Sequence, residues 1–532
     1  MTKNLTQAIK RNLLSIVHCA LCIASILFCS CSLDENPKDQ ITEEQAYTSA
    51  DALFRNTVAT LYNYIGGYTD GQGLQGTCRG VYDLQTFTSD EAMLPTRGGD
   101  WYDGGLWQAM YKHSWGAGHD LPKNAWVYLY KVVTLCNRSL EILAAHQSMA
   151  GDNYEAWQAE VRALRAMYYW YLIDLFGDVP LIESSEMAMN KVTRDARARV
   201  WSFCVSELQQ ALPYLSYENS VRQGDYYGHI TRSVALFVLA KLMLNHAVYI
   251  GANDDTYMQQ TVVYCDQIAQ LGFKLEDNYA DNFAVNNGYS KENIFVIPLD
   301  KNMYSNQQQN LYRSYHYRHA AAYGFTGENG SCATLHTLSV FGYNTDEEDS
   351  RFRLNFFGGT VYDLKGNVVP DRTGKPLTYV PEAVEIDLSG SPYVEMAGAR
   401  MKKYEVDKNA PKDGKLMDND IVLFRYADVL LMRAEALLRT GKAAEGQPFF
   451  DAVRQRANMP TRPLTLQNIE EERQLELCWE GWRRQDMIRF GSYRSLYTGS
   501  DATDESDGHT RVFPIPADVR ALNQNLTQNE GY

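Results

Sequence analysis

The segment between Ile421 and Gly491 places the strongest constraint on how this chain folds. Apolar residues recur at helical spacing from Ile421 to Leu438 on more than one face, which predicts a largely buried helix. Gly441 ends this helix, and a second amphipathic run covers residues 443–457. The positions where two helices of a tetratricopeptide-type hairpin would approach each other closely are occupied by Ala434, Leu437, Gly446 and Phe450. The segment therefore predicts a helical hairpin.

A row of carboxylates follows the hairpin. Glu472, Glu476 and Glu480 are spaced four residues apart, so they lie on one face of a helix. Such a row could supply acid and base groups, but structural ion pairing is favoured, because guanidinium groups suit partly buried carboxylates. The arginines nearest in sequence, which we predict as their partners, are Arg473, Arg483, Arg484 and Arg489.

Six further periodic segments extend the helical pattern over much of the chain. Six more helices are predicted at Ala46–Tyr64, 124–143, Tyr154–Phe176, Asp195–Leu212, Val234–Tyr249 and Tyr257–Leu271. With the hairpin above, these make eight helices, or about four hairpins, and predict a mainly α fold built as a tetratricopeptide-like stack. Between 272 and 419 the helical period fades, the sequence becomes rich in aromatics, and Glu292–Pro298 predicts a short strand.

The overall charge limits the classes of partner. The chain of 532 residues carries a formal charge of −15, and residues 1–30 contain three basic residues and no acid, so the rest is more acidic still. This balance argues against nucleic acid or anionic lipid as the main partner. None of the six cysteines after residue 31 belongs to a C-x-x-C pair, and no other metal motif occurs, so no metal or cofactor is predicted. The six cysteines after residue 31 are expected to be mostly buried thiols, with one or two disulfides left open.

Residues 1–30 have the pattern of a bacterial export signal. Lys3, Lys10 and Arg11 precede an apolar run from Leu13 to Phe28 that is short for a transmembrane span. Cys31, after Ser30, resembles the acceptor cysteine of a lipoprotein; the alternative is an ordinary secretory signal cleaved nearby. We expect lipidation at Cys31, with residues 31–41 as a tether. Acyl chains on Cys31 would hold the protein at a membrane.

Residues 68–122 form a predicted loop region rich in Gly, Tyr, Trp and Asp. A loop of this length inside a compact protein is usually functional. Flat aromatic faces suit the apolar faces of sugar rings, and carboxylate or guanidinium groups suit their hydroxyls. The candidate ligand residues are Asp90, Arg97, Asp100, Trp101, Tyr102 and Asp103, with Tyr312, Tyr315 and Tyr317 as weaker candidates. Trp101 could instead pack into the core, and for Trp107 core packing is favoured.

Four motifs together resemble one known family. They are RYADVLLMRAEAL, ERQLELCWEGWRRQDMIRFG, the terminal FPIPADVRALNQNLTQNEGY, and the loop that contains SDE and GGDWYDGG. The first three occur in this order after the loop, and all four resemble the SusD/RagB family of outer-membrane nutrient-binding lipoproteins of Bacteroidetes. The family usually has proline where Glu530 stands.

The resemblance implies an architecture and a role. It implies a mainly α, tetratricopeptide-like scaffold with a loop-rich, partly β ligand-binding half. The expected divisions are 42–271, an irregular insertion at 272–419, and 420–532. The implied role is the capture of glycans at the cell exterior, without catalysis, and their delivery to a SusC-like TonB-dependent transporter in the outer membrane. The alternatives are peptide cargo in the same role, or a surface glycosidase that uses two carboxylates among Asp90, Glu91, Asp100 and Asp103.

Overall fold

The computed structural model describes residues 43–67, 69–219, 224–303, 309–410, 417–494 and 508–532. The predicted export signal, Cys31 and the tether therefore lie outside the described residues. The chain divides into two compact units, residues 1–48 and residues 49–532. In the first unit the described part contains one helical turn, α1 (Glu43–Ala46).

The second unit is mainly helical, with short strands. Its helices are α2 (Ala50–Phe54), α3 (Thr60–Gly66), α4 (Val81–Thr86), α5 (Leu106–Tyr111), α6 (Asp120–Ala145), α7 (Gln147–Ala150), α8 (Tyr154–Phe176), α9 (Arg197–Ala211), α10 (Arg232–Leu244), α11 (His246–Ile250), α12 (Asp255–Gln270), α13 (Gln309–Ser314), α14 (Tyr317–Tyr323), α15 (Leu335–Val340), α16 (Phe352–Asn355), α17 (Tyr426–Arg439), α18 (Ala443–Arg456), α19 (Leu466–Leu477), α20 (Arg483–Phe490) and α21 (Ala517–Leu522). Its strands are β1 (Ala92–Met93), β2 (Asn293–Ile297), β3 (Cys332–Ala333), β4 (Phe356–Phe357), β5 (Gly359–Thr360), β6 (Thr378–Tyr379), β7 (Arg400–Met401) and β8 (Ile421–Arg425).

The long helices stack in pairs. The turn that joins α2 to α3 packs against α6, and α8 packs against α9, α10 against α12, and α17 against α18. The pairs also contact each other, since α6 packs on α8 and α12 packs on α17. The mainly α, tetratricopeptide-like fold predicted from the sequence is confirmed. The short strands pair two by two, as β1–β3, β2–β8, β4–β7 and β5–β6.

The α17–α18 hairpin shows why its small residues matter. A Cβ atom at Gly446 would lie 3.0 Å from the Ala434 carbonyl oxygen and 3.3 Å from the Leu437 Cβ. Ala434 and Phe450 are fully buried in the cluster between the two helices. The predicted close approach of these helices is confirmed.

The start of this hairpin was predicted wrongly. Ile421–Arg425 is not the first turn of a helix but strand β8, which pairs antiparallel with β2. Every residue of both strands is buried, and the Phe424 ring stacks on Phe237 with centroids 4.3 Å apart. The strand predicted at Glu292–Pro298 is confirmed as β2. A short apolar run fits a buried strand and a buried helix equally well, so periodicity alone did not separate them.

The carboxylate row is buried in an ion-pair network. Glu472, Glu476 and Glu480 are 1% exposed or less, and the predicted ion pairing is confirmed. The predicted partners were wrong: Arg473, for example, binds Asp428 and Asp486 instead. The network that contains the row balances six cations against six anions: Arg351, Lys403, Arg425, Arg454, Arg456 and Arg462 with Glu292, Asp349, Glu471, Glu472, Glu476 and Glu480.

Three further findings concern only the described ranges. The cysteines there are free, buried thiols, so neither of the disulfides left open above forms among them. No helix in these ranges has the length and apolar character needed to cross a bilayer. No group of His, Cys, Asp and Glu in the same ranges is arranged to hold a metal ion.

Candidate functional site

The loop from Gly98 to Gly105 has an unusual backbone. Trp101 and Asp103 have φ values of 60° and 43°, in the left-handed region, as do three of the glycines around them. Arg97 and Asp100 close the turn before Trp101 with two mutual backbone hydrogen bonds. A bulky residue in this region costs about 1–3 kcal/mol and persists only where its surroundings hold it. Such strain is often found at ligand sites.

Trp101 is held in one orientation by a distant segment. Its indole Nε1 donates to the Glu328 carbonyl oxygen at 2.9 Å. Its ring lies against Gly330, where a Cβ atom would be 2.8 Å from the indole. Below it, the Trp107 ring meets it edge-on at 6.2 Å between centroids. Trp101 remains partly exposed, so a fixed aromatic surface is present at the protein surface before any ligand arrives.

Exposed polar and aromatic groups surround Trp101. Tyr102 is 54% exposed and Tyr317 is 41% exposed. The Tyr317 hydroxyl donates to Asp100 Oδ2 at 2.6 Å, which ties α14 to the loop. Asp103 Oδ2 accepts from Arg79 Nη2 at 2.7 Å and from Trp107 Nε1 at 2.8 Å. Burial alone would raise the pKa of Asp103, but these two hydrogen bonds lower it, so the carboxylate stays charged.

We define the Trp101 platform as the predicted site residues that the structure brings together at this surface: Asp100, Trp101, Tyr102, Asp103 and Tyr317. Trp107 is 1% exposed, as its predicted core position requires.

Arg97 lies beneath the platform and not on it. Its side chain is buried, and its guanidinium donates to the carbonyl oxygens of Gly330 (3.3 Å), Val394 (2.9 Å) and Ala397 (2.9 Å). These hydrogen bonds hold the guanidinium group in place, so Arg97 joins three segments and supports the loop. The sequence predicted direct ligand contact for Arg97, and that prediction does not fit this position. Burial and the nearby Arg400 guanidinium lower the pKa of Arg97.

Asp90 is also unavailable to a surface ligand. It is 3% exposed, and both of its oxygens accept from Arg483, at 2.6 and 2.7 Å. Burial opposes ionisation, but the Arg483 guanidinium outweighs it and holds the pKa of Asp90 well below its usual range. This carboxylate therefore joins the N-terminal loop to α20, and the sequence-based expectation of ligand contact does not fit its position.

Two of the three candidate tyrosines are core residues. Tyr312 and Tyr315 are fully buried, and Tyr315 packs among the rings of His319, Phe325 and Phe357. A ligand at the surface does not reach them in this structure. Only Tyr317, two residues later, points outward enough to belong to the platform.

Sequence reasoning missed the residues that hold the platform. Glu328 and Gly330 orient the indole, and Arg79 neutralises Asp103. Tyr393, which is 44% exposed, lies next to Val394, whose carbonyl oxygen accepts from Arg97 Nη1 at 2.9 Å. The Gly327–Gly330 turn was the only local signal, and nothing in its sequence shows that it meets a tryptophan more than 200 residues earlier.

Glu91, behind the platform, supplies a test of the buried electrostatics. It is 1% exposed, its Oε1 accepts from the Trp479 backbone N–H at 3.0 Å, and burial raises its pKa to about 8. Because the unfolded carboxyl ionises near pH 4.5, the folded state is penalised as pH rises from there towards 8. Glu91→Gln should therefore gain stability over the wild type by about 1.4 kcal/mol per pH unit across this window. Urea unfolding at pH 5 and pH 8 checks this; equal differences at the two values would contradict it.

Comparison with known proteins decides the family. The model described as the SusD family matches residues 272–532, and a second model, described as starch-binding associating with outer membrane, matches residues 35–244. The chain belongs to the SusD/RagB family. The family resemblance in the sequence motifs is thereby confirmed.

Individual members of the SusD/RagB family align with nearly the whole chain. The starch-binding protein SusD of Bacteroides thetaiotaomicron is 25% identical over 506 residues, covering 87% of each chain. A solved SusD homolog from the same species has a TM-score of 0.74 at 20% identity and covers 92% of this chain and 99% of its own. Surface glycan-binding protein A from B. thetaiotaomicron, solved with laminarihexaose, has a TM-score of 0.69 at 19% identity and covers 90% and 99%. At these identities the solved structures show the shared fold.

Proposed function

We propose that this SusD/RagB-family protein captures glycans at the cell surface on the Trp101 platform, without cleaving them. The observation that carries the proposal is the pre-oriented indole. Trp101 is fixed by Glu328, Gly330 and Trp107 yet partly exposed. An aromatic side chain that is ordered in advance binds a ligand at a lower entropic cost.

The polar groups on the platform suit sugar hydroxyls. Asp100 and Asp103 offer carboxylate oxygens as acceptors, and the exposed Tyr102 hydroxyl can donate or accept. Sugar C–H faces would lie on the Trp101 and Tyr102 rings, in the way apolar groups pack on aromatic faces. Two relatives support this cargo, since one is named as starch-binding and another was solved with laminarihexaose.

The arrangement of carboxylates favours binding over hydrolysis. A glycosidase needs a carboxylic acid with a raised pKa beside the sugar. Among the four carboxylates considered from sequence, Glu91 has the raised pKa, and it is buried. Asp90 is also buried, and the exposed Asp103 has a lowered pKa, which suits an acceptor and not a proton donor.

Gel retardation tests the capture of glycans. In native gels that contain laminarin, soluble starch or another polysaccharide, we expect at least one glycan to slow the protein relative to a non-binding standard. Peptide cargo in the same role is the alternative. Unchanged mobility in every glycan, together with binding of peptides by calorimetry, would replace the glycan proposal with the peptide one.

The delivery step is part of the same proposal. The family resemblance implies that the protein acts with a SusC-like TonB-dependent transporter, and the matching family model is described as associating with the outer membrane. Capture next to a transporter would raise the local concentration of ligand at its entrance. Affinity purification from solubilised outer membranes should recover a transporter of this class; a preparation from which the transporter is absent would contradict the partnership.

Cys31 tests the membrane anchor. Cys31→Ser removes the thiol that would carry the lipid, so the protein should move from the membrane to the soluble fraction. Immunoblots of both fractions give the result, with Cys29→Ser as the matched control, because it changes the neighbouring cysteine of the same signal. If Cys31→Ser fractionates like the wild type, as the control should, the anchor lies elsewhere.

A further inference from the structure

A second concave surface lies beside α5. A groove of about 680 Å³ runs between α5, the start of α15 and residues 384–387. Its floor is apolar, formed by Met93, Val384 and Ile386 of one small core cluster. Leu335 stands at its edge with 52% of its surface exposed.

The walls of this groove carry both donors and acceptors. They contain an amide, an ammonium, an imidazole and two carboxylates, from Gln108, Lys112, His336, Glu385 and Asp387. His336 is fixed from behind, since its Nε2 lies 3.1 Å from Asp90 Oδ2, and Asp90 is itself held by Arg483. The imidazole is thus oriented by a carboxylate that is 3% exposed.

His336 also lines an adjoining groove of about 950 Å³, and we refer to the two grooves, which share this residue, as the cleft. In the second part most charges are paired. Arg462 binds Glu471 at 2.8 Å, Arg353 binds Glu348 at 2.6 Å, and Asp349 binds Arg351 at 2.8 Å. The walls of the cleft therefore carry charges of both signs, with acids in the majority in the second groove, and the first groove has an apolar floor.

We propose that this cleft is a second glycan-binding site, which holds a neutral glucan chain whose other part occupies the Trp101 platform. The inference rests on the proposed function. An apolar floor between walls of donors and acceptors suits a neutral, polyhydroxylated ring with apolar C–H faces. Because the walls carry charges of both signs, part of the lining would repel a polyanion and part would repel a polycation.

The helix α5 connects the two sites. Trp107 on α5 lies beneath Trp101, and Gln108, the next residue, lines the cleft. A helix with its side chains is about 10–12 Å across. One polysaccharide chain can therefore contact both sites, whereas a short oligosaccharide occupies one. Two linked contacts raise the affinity for the polymer well above that of either contact alone.

Two variants test the cleft without touching the platform. Leu335→Trp fills the groove from an exposed position, and Glu385→Ala removes an exposed carboxylate from its wall. Leu522→Trp is the matched control, since Leu522 is 79% exposed and lines neither groove. Calorimetry on the full-length protein in detergent measures the affinities for laminarin and soluble starch, and for laminaritriose and maltotriose as the short forms.

For the glucan that the wild type binds, we expect Leu335→Trp to weaken polymer binding at least about tenfold and Glu385→Ala to weaken it less. The trisaccharide affinity and the control should stay unchanged. Unchanged polymer binding by Leu335→Trp would overturn the second site, and so would equal losses for polymer and trisaccharide. A wild type that binds neither glucan also overturns it, while the proposed function fails only if every other glycan is silent too.

Discussion

Trp101→Ala is expected to weaken glycan binding by about 2 kcal/mol or more, which is roughly thirtyfold, while the fold stays intact. The indole is the largest ring system on the platform, and its removal also deletes the hydrogen bond to Glu328. Alanine keeps the Cβ atom and therefore the same backbone strain, and the indole is partly exposed, so we expect only a small loss of stability. Calorimetry gives the affinity, and far-ultraviolet circular dichroism reports the helical content.

Two matched variants separate ligand contact from packing. Trp157→Ala removes a partly buried tryptophan that packs on Phe54 in the helical stack, and it should leave glycan binding unchanged. Trp101→Phe keeps an aromatic face but loses the N–H donor to Glu328, so its affinity should fall between those of wild type and alanine variant. If Trp101→Ala binds normally, or if its helical signal collapses, Trp101 is a packing residue and the platform is wrongly placed.

Arg425→Met should destabilise the protein by about 3–5 kcal/mol, the largest stability effect that we expect from a single substitution. Arg425 is 1% exposed and binds Glu292 at 2.8 Å, Glu476 at 2.5 Å and Glu480 at 2.8 Å. Methionine fills a similar volume but leaves three buried carboxylates with one cation fewer. The cost comes from these uncompensated charges more than from the lost contacts.

The control for this substitution is an exposed ion pair. Arg55 binds Asp51 at 2.9 Å with both side chains more than two-thirds exposed. Arg55→Met should change stability by about 0.5 kcal/mol or less, because water and salt screen such pairs. Urea denaturation of the two variants and the wild type gives both values. If Arg425→Met and Arg55→Met lower the free energy of unfolding by similar amounts, burial does not increase the contribution of this network to stability.

The helices were predictable because their signals are local. The Tyr154–Phe176 helix has the bounds predicted from its pattern, and the Gly446 contact follows from one small residue at the right position. Strand β8 was not predictable, because its partner β2 lies more than 120 residues earlier and decides its conformation. The same holds for the partners of Glu476, which come from Arg351, Arg425 and Arg456 and not from the nearest arginines.

The residue types at the site were predictable from the sequence, but the burial of each side chain was not. The sequence identified the loop around Trp101 and the residue types that suit a sugar. It did not show which side chains face outward. Nothing in the sequence distinguishes Asp90, which is buried and paired with Arg483, from Asp100, which is exposed to solvent. Tyr315 and Tyr317 differ only in which side of a short turn they occupy, and one of the rings that cover Tyr315, that of Phe357, comes from a distant segment.

Calorimetry of the soluble form that lacks residues 1–31, against a panel of polysaccharides, oligosaccharides and peptides, tests the central claim most directly. Reducing ends are assayed on the same mixtures. We expect saturable heat with at least one glycan and no new reducing ends, because the Trp101 platform binds and does not cleave. New reducing ends would show a glycosidase and contradict capture without catalysis, and heat from peptides alone would contradict the glycan cargo.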